Sequence, residues 1–95
     1  MADKRDVNER RLIDLWRGIG CTVIQMDRNA GFDLLVIRGI NFIKRTFIVE
    51  VKNPALKWKL TESESRLKEK IGDEYNIIQT DEEALELIGY GSEFS

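Results

Sequence analysis

A short run of β-favouring residues that ends in two charges constrains this chain more than any other stretch. In residues 47–52, four of the six residues are aromatic or β-branched, which is typical of a buried strand. Because side chains alternate along a strand, Val49 and Val51 face one side of the sheet, whereas Glu50 and Lys52 face the other. Buried charges are costly to remove from water, so we expect a compensating partner beside them, and a bound cation is one candidate.

Helical periodicity and capping signals predict three helices, over residues 7–17, 62–71 and 81–88. The first carries an apolar stripe at helical spacing. Each helix is preceded by an N-cap residue with a glutamate three positions later, the pattern of a capping box. The three pairs are Asp6 with Glu9, Thr61 with Glu64, and Thr80 with Glu83.

Four strands are predicted between these helices, over residues 21–26, 32–38, 42–52 and 75–79. Short connections join the first three, which favours an antiparallel meander. A helix joins the third strand to the fourth, so this pair is expected to be parallel. The sequence therefore predicts one α/β domain of order αβββαβα around a mixed four-stranded sheet.

The predicted hairpin places Asp33, at the start of the second strand, beside Glu50 and Lys52, at the end of the third. Two carboxylates, joined by the Val51 carbonyl, are hard oxygen ligands that suit Mg²⁺ or Mn²⁺. A metal held there can activate water for attack on a phosphate, and Lys52 can orient or deprotonate that water or neutralise developing charge. The alternative is a plain surface ion pair of Glu50 with Lys52 or Lys44.

The composition narrows the chemistry further. The chain has no histidine and one cysteine, which excludes histidine-based catalysis, the usual zinc sites and an intrachain disulfide. The formal net charge is −2, but all seven charged residues after Ile71 are acidic, leaving ten acids against 15 bases before it. The asymmetry permits one basic surface for nucleic acid. No apolar run is long enough to span a membrane, so we expect a cytoplasmic protein.

The motif residues resemble a known nuclease superfamily. Gly31-Phe32-Asp33 followed by Glu50-Val51-Lys52 on an αβββαβ scaffold is similar to the PD-(D/E)xK nucleases. The continuation over roughly residues 6–89 resembles the small stand-alone VRR-NUC (virus-type replication-repair nuclease) proteins. That continuation comprises Asn53-Pro54, Leu60-Thr61, Glu64, residues 75–78 and a last acidic helix. Two positions differ from the family pattern. The family often has proline where this chain has Phe32, and it has glutamine where this chain has Glu64.

The resemblance implies a restriction-endonuclease-like fold and metal-dependent cleavage of branched DNA such as Holliday junctions. It also implies a homodimer and an origin in a phage or prophage. Matched position by position, Asp33 and Glu50 would bind the metal, Lys52 would be the catalytic lysine, and Glu9 the acidic residue of the first helix. The alternatives are a non-catalytic junction-binding module of the same fold and a small restriction-type nuclease.

Several further residues have two interpretations. Glu9 and Glu64 are either auxiliary site residues or simply helix caps. Lys57, Trp58 and Lys59 are candidates for DNA contact, while Trp58 with Leu56 and Leu60 equally suits a dimer interface, which we favour slightly. Arg28 is a candidate phosphate ligand, although surface charges more often bind nothing.

Overall fold

The fold is a four-stranded mixed sheet flanked by three helices, as predicted. The computed structural model describes residues 4–90, apart from the side chains of residues 4–6 and of Arg28. Two short 3₁₀ turns, Arg28–Ala30 and Gly72–Glu74, lie between the main elements. The main elements are α1 (Lys4–Gly18), β1 (Thr22–Gln25), β2 (Leu34–Ile40), β3 (Ile43–Val51), α2 (Glu62–Ile71), β4 (Tyr75–Ile78) and α3 (Asp81–Leu87).

The strands lie in chain order across the sheet. β1 and β2 pair antiparallel, as do β2 and β3, and β3 pairs parallel with β4, which confirms the predicted topology. The register places Leu34 opposite Val49. The Asp33 amide extends this pairing by donating to the Val49 carbonyl at 3.0 Å, so Asp33 stands next to the end of β3.

One face of the sheet forms the hydrophobic core. Val36, Val49 and Val51 pack there against Leu12 and Trp16 of α1, and all five side chains are buried. The indole N–H of Trp16 donates to the Ala84 carbonyl at 3.1 Å, which joins α1 to α3 on this face. By strand alternation, Glu50 and Lys52 must point to the opposite face, where α2 lies.

Two predicted boundaries in the hairpin are wrong. β2 begins at Leu34 rather than at residue 32, and it continues to Ile40. The turn consists of Asn41 and Phe42, both with positive φ, and not of residues 39–41. A two-residue turn whose central residues both have positive φ matches the right-handed twist of the paired strands. A three-residue turn would join these two strands less directly.

The predicted first capping box is also wrong. α1 already includes Lys4, so Asp6 lies within the helix, and Glu9 is not at the N3 position of a cap. The boxes formed by Thr61 with Glu64 and by Thr80 with Glu83 are confirmed. No helix in residues 4–90 has the length and apolar character that a membrane span requires.

Candidate active site

A polar cleft of about 430 Å³ lies where α1, the turn before β2, the end of β3 and the start of α2 meet. Asp33, Val51, Glu9 and Glu64, four of the predicted site residues, line it. Glu50 and Lys52 lie beneath its floor, each only 2% exposed. The remaining lining residues are Gln25, Met26, Asp27, Phe32, Thr61 and Ser63. The structure thus brings together the main residues that the sequence predicted for the site.

Hydrogen bonds fix both the carboxylate of Asp33 and the turn that precedes this residue. The Val51 amide donates to Asp33 Oδ2 at 2.8 Å, which ties the carboxylate to the end of β3. The preceding Gly31 has a φ of +86°, and a Cβ there would meet the Ser63 carbonyl oxygen at 3.1 Å. The Tyr75 hydroxyl donates to the Gly31 carbonyl at 2.7 Å. A larger residue at Gly31 would therefore disturb both the turn and its contact with α2.

The charges of Glu50, Lys52 and Glu64 form one connected cluster. Lys52 Nζ lies 2.9 Å from Glu50 Oε2 and 3.1 Å from Glu64 Oε1. The alternative of a surface ion pair is wrong in its placement, because the Glu50–Lys52 pair is buried. Lys44 pairs with Gly39 at the far end of the hairpin and cannot reach Glu50. A buried pair this close to a polar cleft is typical of a functional site rather than of a stabilising contact.

Glu64 is both a helix cap and a member of this cluster. Its Oε1 accepts the Thr61 amide at 2.9 Å, which completes the capping box, and the same oxygen accepts from Lys52. Its side chain is 13% exposed. The two interpretations given to Glu64 by the sequence are thus not exclusive, since the cap itself fixes the carboxylate that faces Lys52.

Crowding of carboxylates shifts the acid–base properties of the cluster. Burial, reinforced by the charge of Asp33, raises the pKa of Glu50 to about 8. Burial also raises the pKa of Asp33, although the Val51 amide opposes it. Burial alone would lower the pKa of Lys52, but its bonds to Glu50 and Glu64 raise it. Near neutral pH, ionised Glu64 therefore balances Lys52, and Glu50 retains its proton.

Because Glu50 retains a proton near neutral pH, we expect the protein without metal to lose stability as the pH rises. The folded state holds a proton on Glu50 that the unfolded chain has already released above about pH 5. Stability falls with pH wherever the folded state binds a proton that the unfolded chain lacks, so the fall runs across this range and levels off near the folded pKa of about 8. We expect the Tm in EDTA to fall by about 4–8 °C for each kcal/mol lost. Thermal unfolding between pH 5.5 and 8.5 measures this, and a Tm that rises through that range would contradict it.

Exchanging Glu64 for glutamine tests the charge balance directly. The amide oxygen retains the cap but loses the charge that pairs with Lys52, so Glu50 should ionise more readily and its pKa should fall below about 8. The matched control is Glu83→Gln, which makes the same change in the equivalent cap of α3. Carboxyl ¹³C NMR titration reports the result. An unchanged Glu50 pKa in Glu64→Gln would show that Glu64 does not bear the balancing charge.

The cluster fits a divalent cation. Among the described residues, no three His, Cys, Asp or Glu side chains stand ready to hold a metal together. Mg²⁺, however, needs only one or two carboxylates, because it keeps several of its waters. Glu50 Oε1 is buried without a hydrogen-bond partner, beside a second carboxylate that raises the Glu50 pKa. A cation between Asp33 and Glu50 would give that oxygen a partner and relieve the repulsion.

The remaining predicted residues whose side chains the structure describes do not line the cleft. Lys57 and Lys59 are exposed on the loop that joins β3 to α2. Trp58, 38% exposed, donates to Gln79 Oε1 at 3.0 Å, and its ring lies 5.8 Å from Lys52 Nζ. Trp58 thus lies over the buried lysine of the same chain. The side chain of Arg28 lies outside the described residues.

One positioning residue was missed in the sequence. Asn8, buried in α1, donates to the Lys52 carbonyl at 2.8 Å and to the Gln79 carbonyl at 3.2 Å. It therefore fixes the ends of β3 and β4 relative to α1, on the backbone that carries Lys52. A polar residue one position before Glu9 on the inward side of the helix was the available signal.

Comparisons with protein-family models, with curated proteins and with solved structures give no match to this chain.

Proposed function

We propose that this chain is a metal-dependent, structure-selective endonuclease that hydrolyses phosphodiester bonds in branched DNA, in the manner of a Holliday junction resolvase. The observation that carries the proposal is the proximity of Asp33, which lines the cleft, to Glu50, whose buried Oε1 lacks a partner and which is bonded to buried Lys52. Together with the αβββαβ order, this arrangement supports membership of the VRR-NUC branch of the PD-(D/E)xK superfamily and a restriction-endonuclease-like fold.

Asp33, Glu50 and the Val51 carbonyl would hold the ion, Mg²⁺ or Mn²⁺. When bound, such an ion lowers the pKa of a coordinated water and stabilises negative charge on a phosphate. Binding requires Glu50 to lose its proton, so metal affinity should increase with pH. Glu9, which also lines the cleft, would be an auxiliary acidic residue with access to the same space.

Lys52 supplies the positive charge of the site. Its raised pKa keeps it protonated, so it acts by orienting water or neutralising charge on the scissile phosphate rather than by taking a proton. Ionised Glu64 holds its ammonium group in place, with Lys52 Nζ 3.1 Å from Glu64 Oε1. Exposed Lys57 and Lys59, with Trp58 between them, would contact the DNA backbone and bases.

A small single-domain nuclease that resolves a two-fold junction needs two sites, so we also propose a homodimer in which each protomer supplies one. The second candidate function is a junction-binding module without cleavage. One observation favours it, namely that Glu50 and Lys52 are both only 2% exposed, so little of either side chain is open to a substrate.

Incubation with labelled DNA separates these functions. Four-way junction, flap and linear duplex are each incubated with Mg²⁺, with Mn²⁺ and with EDTA. The proposal expects metal-dependent cutting of the branched substrates. Binding without cutting under every condition would favour the junction-binding module, and cutting of plain duplex at one defined sequence would indicate a restriction-type nuclease.

A further inference from the structure

The tip of the β2–β3 hairpin, here called the hairpin tip and defined as residues 40–45, has a backbone that suits its sequence poorly. Its two central residues, Asn41 and Phe42, have φ values of +50° and +70°. Such a turn favours asparagine followed by glycine, because a side chain at the second position crowds the backbone. Asn41 fits this preference and Phe42 does not.

Packing does not explain Phe42 either. The side chain is fully exposed, and the neighbouring Ile43 is 66% exposed. A bulky aromatic residue that costs conformational free energy and buries nothing contributes no stability to the folded protein. Backbone strain of this kind, where the fold gains nothing from it, points to a binding role for the residue that carries it.

The charge around Phe42 favours a polyanionic partner. Between Asp33 and Glu50 the sequence has no acidic residue, and it has three bases, of which Lys44 and Arg45 adjoin the turn. Both are exposed, and among the described residues neither forms an ion pair. Arg45 instead stacks on Phe47, with its Cζ 5.6 Å from the ring centroid.

The hairpin tip and the acidic pair of Asp33 and Glu50 lie near opposite ends of β3. Lys44 and Glu50 are six residues apart on β3, so alternation puts both on the same face of the sheet. Opposite Lys44 stands Gly39, at which a Cβ would lie 3.7 Å from Lys44 Cγ, so the lysine stem lies over this glycine. The rise of a strand places the two positions about 20 Å apart, which is about six base pairs of duplex.

We propose that the hairpin tip binds the nucleic-acid substrate at an unpaired base. Phe42 stacks on that base, while Lys44, on the cleft face of β3, and Arg45, on the opposite face, bind the phosphates on either side of it. Bases inside a continuous duplex are already stacked on both sides, so this contact selects DNA with a branch, gap or frayed end. The inference rests on the proposed function and adds the feature of the DNA that is recognised.

The test uses Phe42→Gly in the full chain. Asparagine followed by glycine is the preferred pair for this turn, so the variant should fold with an unchanged or higher Tm. Fluorescence anisotropy in EDTA, where no cutting occurs, gives the affinity for a labelled four-way junction and for a single-stranded oligonucleotide. Losing one stacked base should weaken both affinities about tenfold.

The charge contribution is measured by salt dependence. Lys44→Gln combined with Arg45→Gln should reduce the slope of log affinity against log salt by about two, at about one unit per phosphate contact. The control pair, Lys68→Gln with Lys70→Gln at the end of α2, removes the same charge and should leave the slope unchanged. An equal reduction in both pairs would indicate general attraction and overturn the assigned contact.

Other outcomes are equally decisive. Equal affinity of Phe42→Gly and wild type for the junction, or failure of the wild type to bind any DNA, would overturn the proposed contact. A wild-type dimer that becomes monomeric in Phe42→Gly by sedimentation would assign the hairpin tip to self-association instead. Failure of the proposed function has a different signature, in which wild type binds the junction through Phe42 but never cuts it with Mg²⁺ or Mn²⁺.

Discussion

Replacing Glu50 with glutamine should reduce DNA cleavage by about 10³-fold or more, while making the metal-free protein more stable at pH 8. The loss of activity follows because a neutral amide neither attracts a divalent cation nor shares one with Asp33. The gain of stability follows because the variant has no buried carboxyl group with a pKa of about 8 to ionise. We expect a gain of about 1–3 kcal/mol in the free energy of unfolding.

Two measurements on the same variant decide this prediction. Cleavage of a labelled four-way junction in Mn²⁺ gives the activity, and urea unfolding in EDTA at pH 6 and pH 8 gives the stability. Glu83→Gln is the control, because it makes the same chemical change at the cap of α3, away from the cleft. Cleavage within tenfold of wild type would remove Glu50 from the site, and a loss of stability at pH 8 would refute the raised pKa.

Much of the fold could be predicted because local signals and strand order agreed. Thr61 and Thr80, each with a glutamate three residues later, gave the starts of α2 and α3, and both boxes are present. The α1 start failed because Asp6 and Glu9 show the same pattern inside a helix that begins earlier. Capping residues therefore locate a helix start only where the preceding residues cannot themselves be helical.

The site was predictable where strand geometry determines it. Alternation and a short hairpin suffice to bring Asp33 next to Glu50. The contact of Lys52 with Glu64 depends on how α2 packs over the sheet, which no local pattern specifies. The burial of Lys52 under Trp58 and the hydrogen bond from Asn8 to its carbonyl are likewise tertiary. The left-handed Phe42 was missed because turn preferences argue against it.

Replacing Lys52 with methionine should destabilise the protein by about 3 kcal/mol and abolish cleavage. Methionine has a similar shape but no charge, so Glu50 and Glu64 would face each other without the ammonium group that now lies 2.9 Å and 3.1 Å from them. Loss of a buried partner leaves the remaining charge unpaired, which is more costly than removing both members of a pair. Urea unfolding at pH 7 and junction cleavage in Mn²⁺ measure the two effects.

The double variant Lys52→Met with Glu64→Gln separates structure from chemistry. Glu64 is the partner whose pKa is lowered, because its bonds to Thr61 and Lys52 outweigh burial, so neutralising it removes the unpaired charge. Most of the lost stability should return, whereas cleavage should stay absent, because under the proposed function Lys52 supplies the positive charge that neutralises the scissile phosphate. If cleavage returned together with stability, Lys52 would be a structural residue alone. A double variant as unstable as Lys52→Met would show instead that Lys52 stabilises the fold through other contacts of its ammonium group, such as the one with the Trp58 ring.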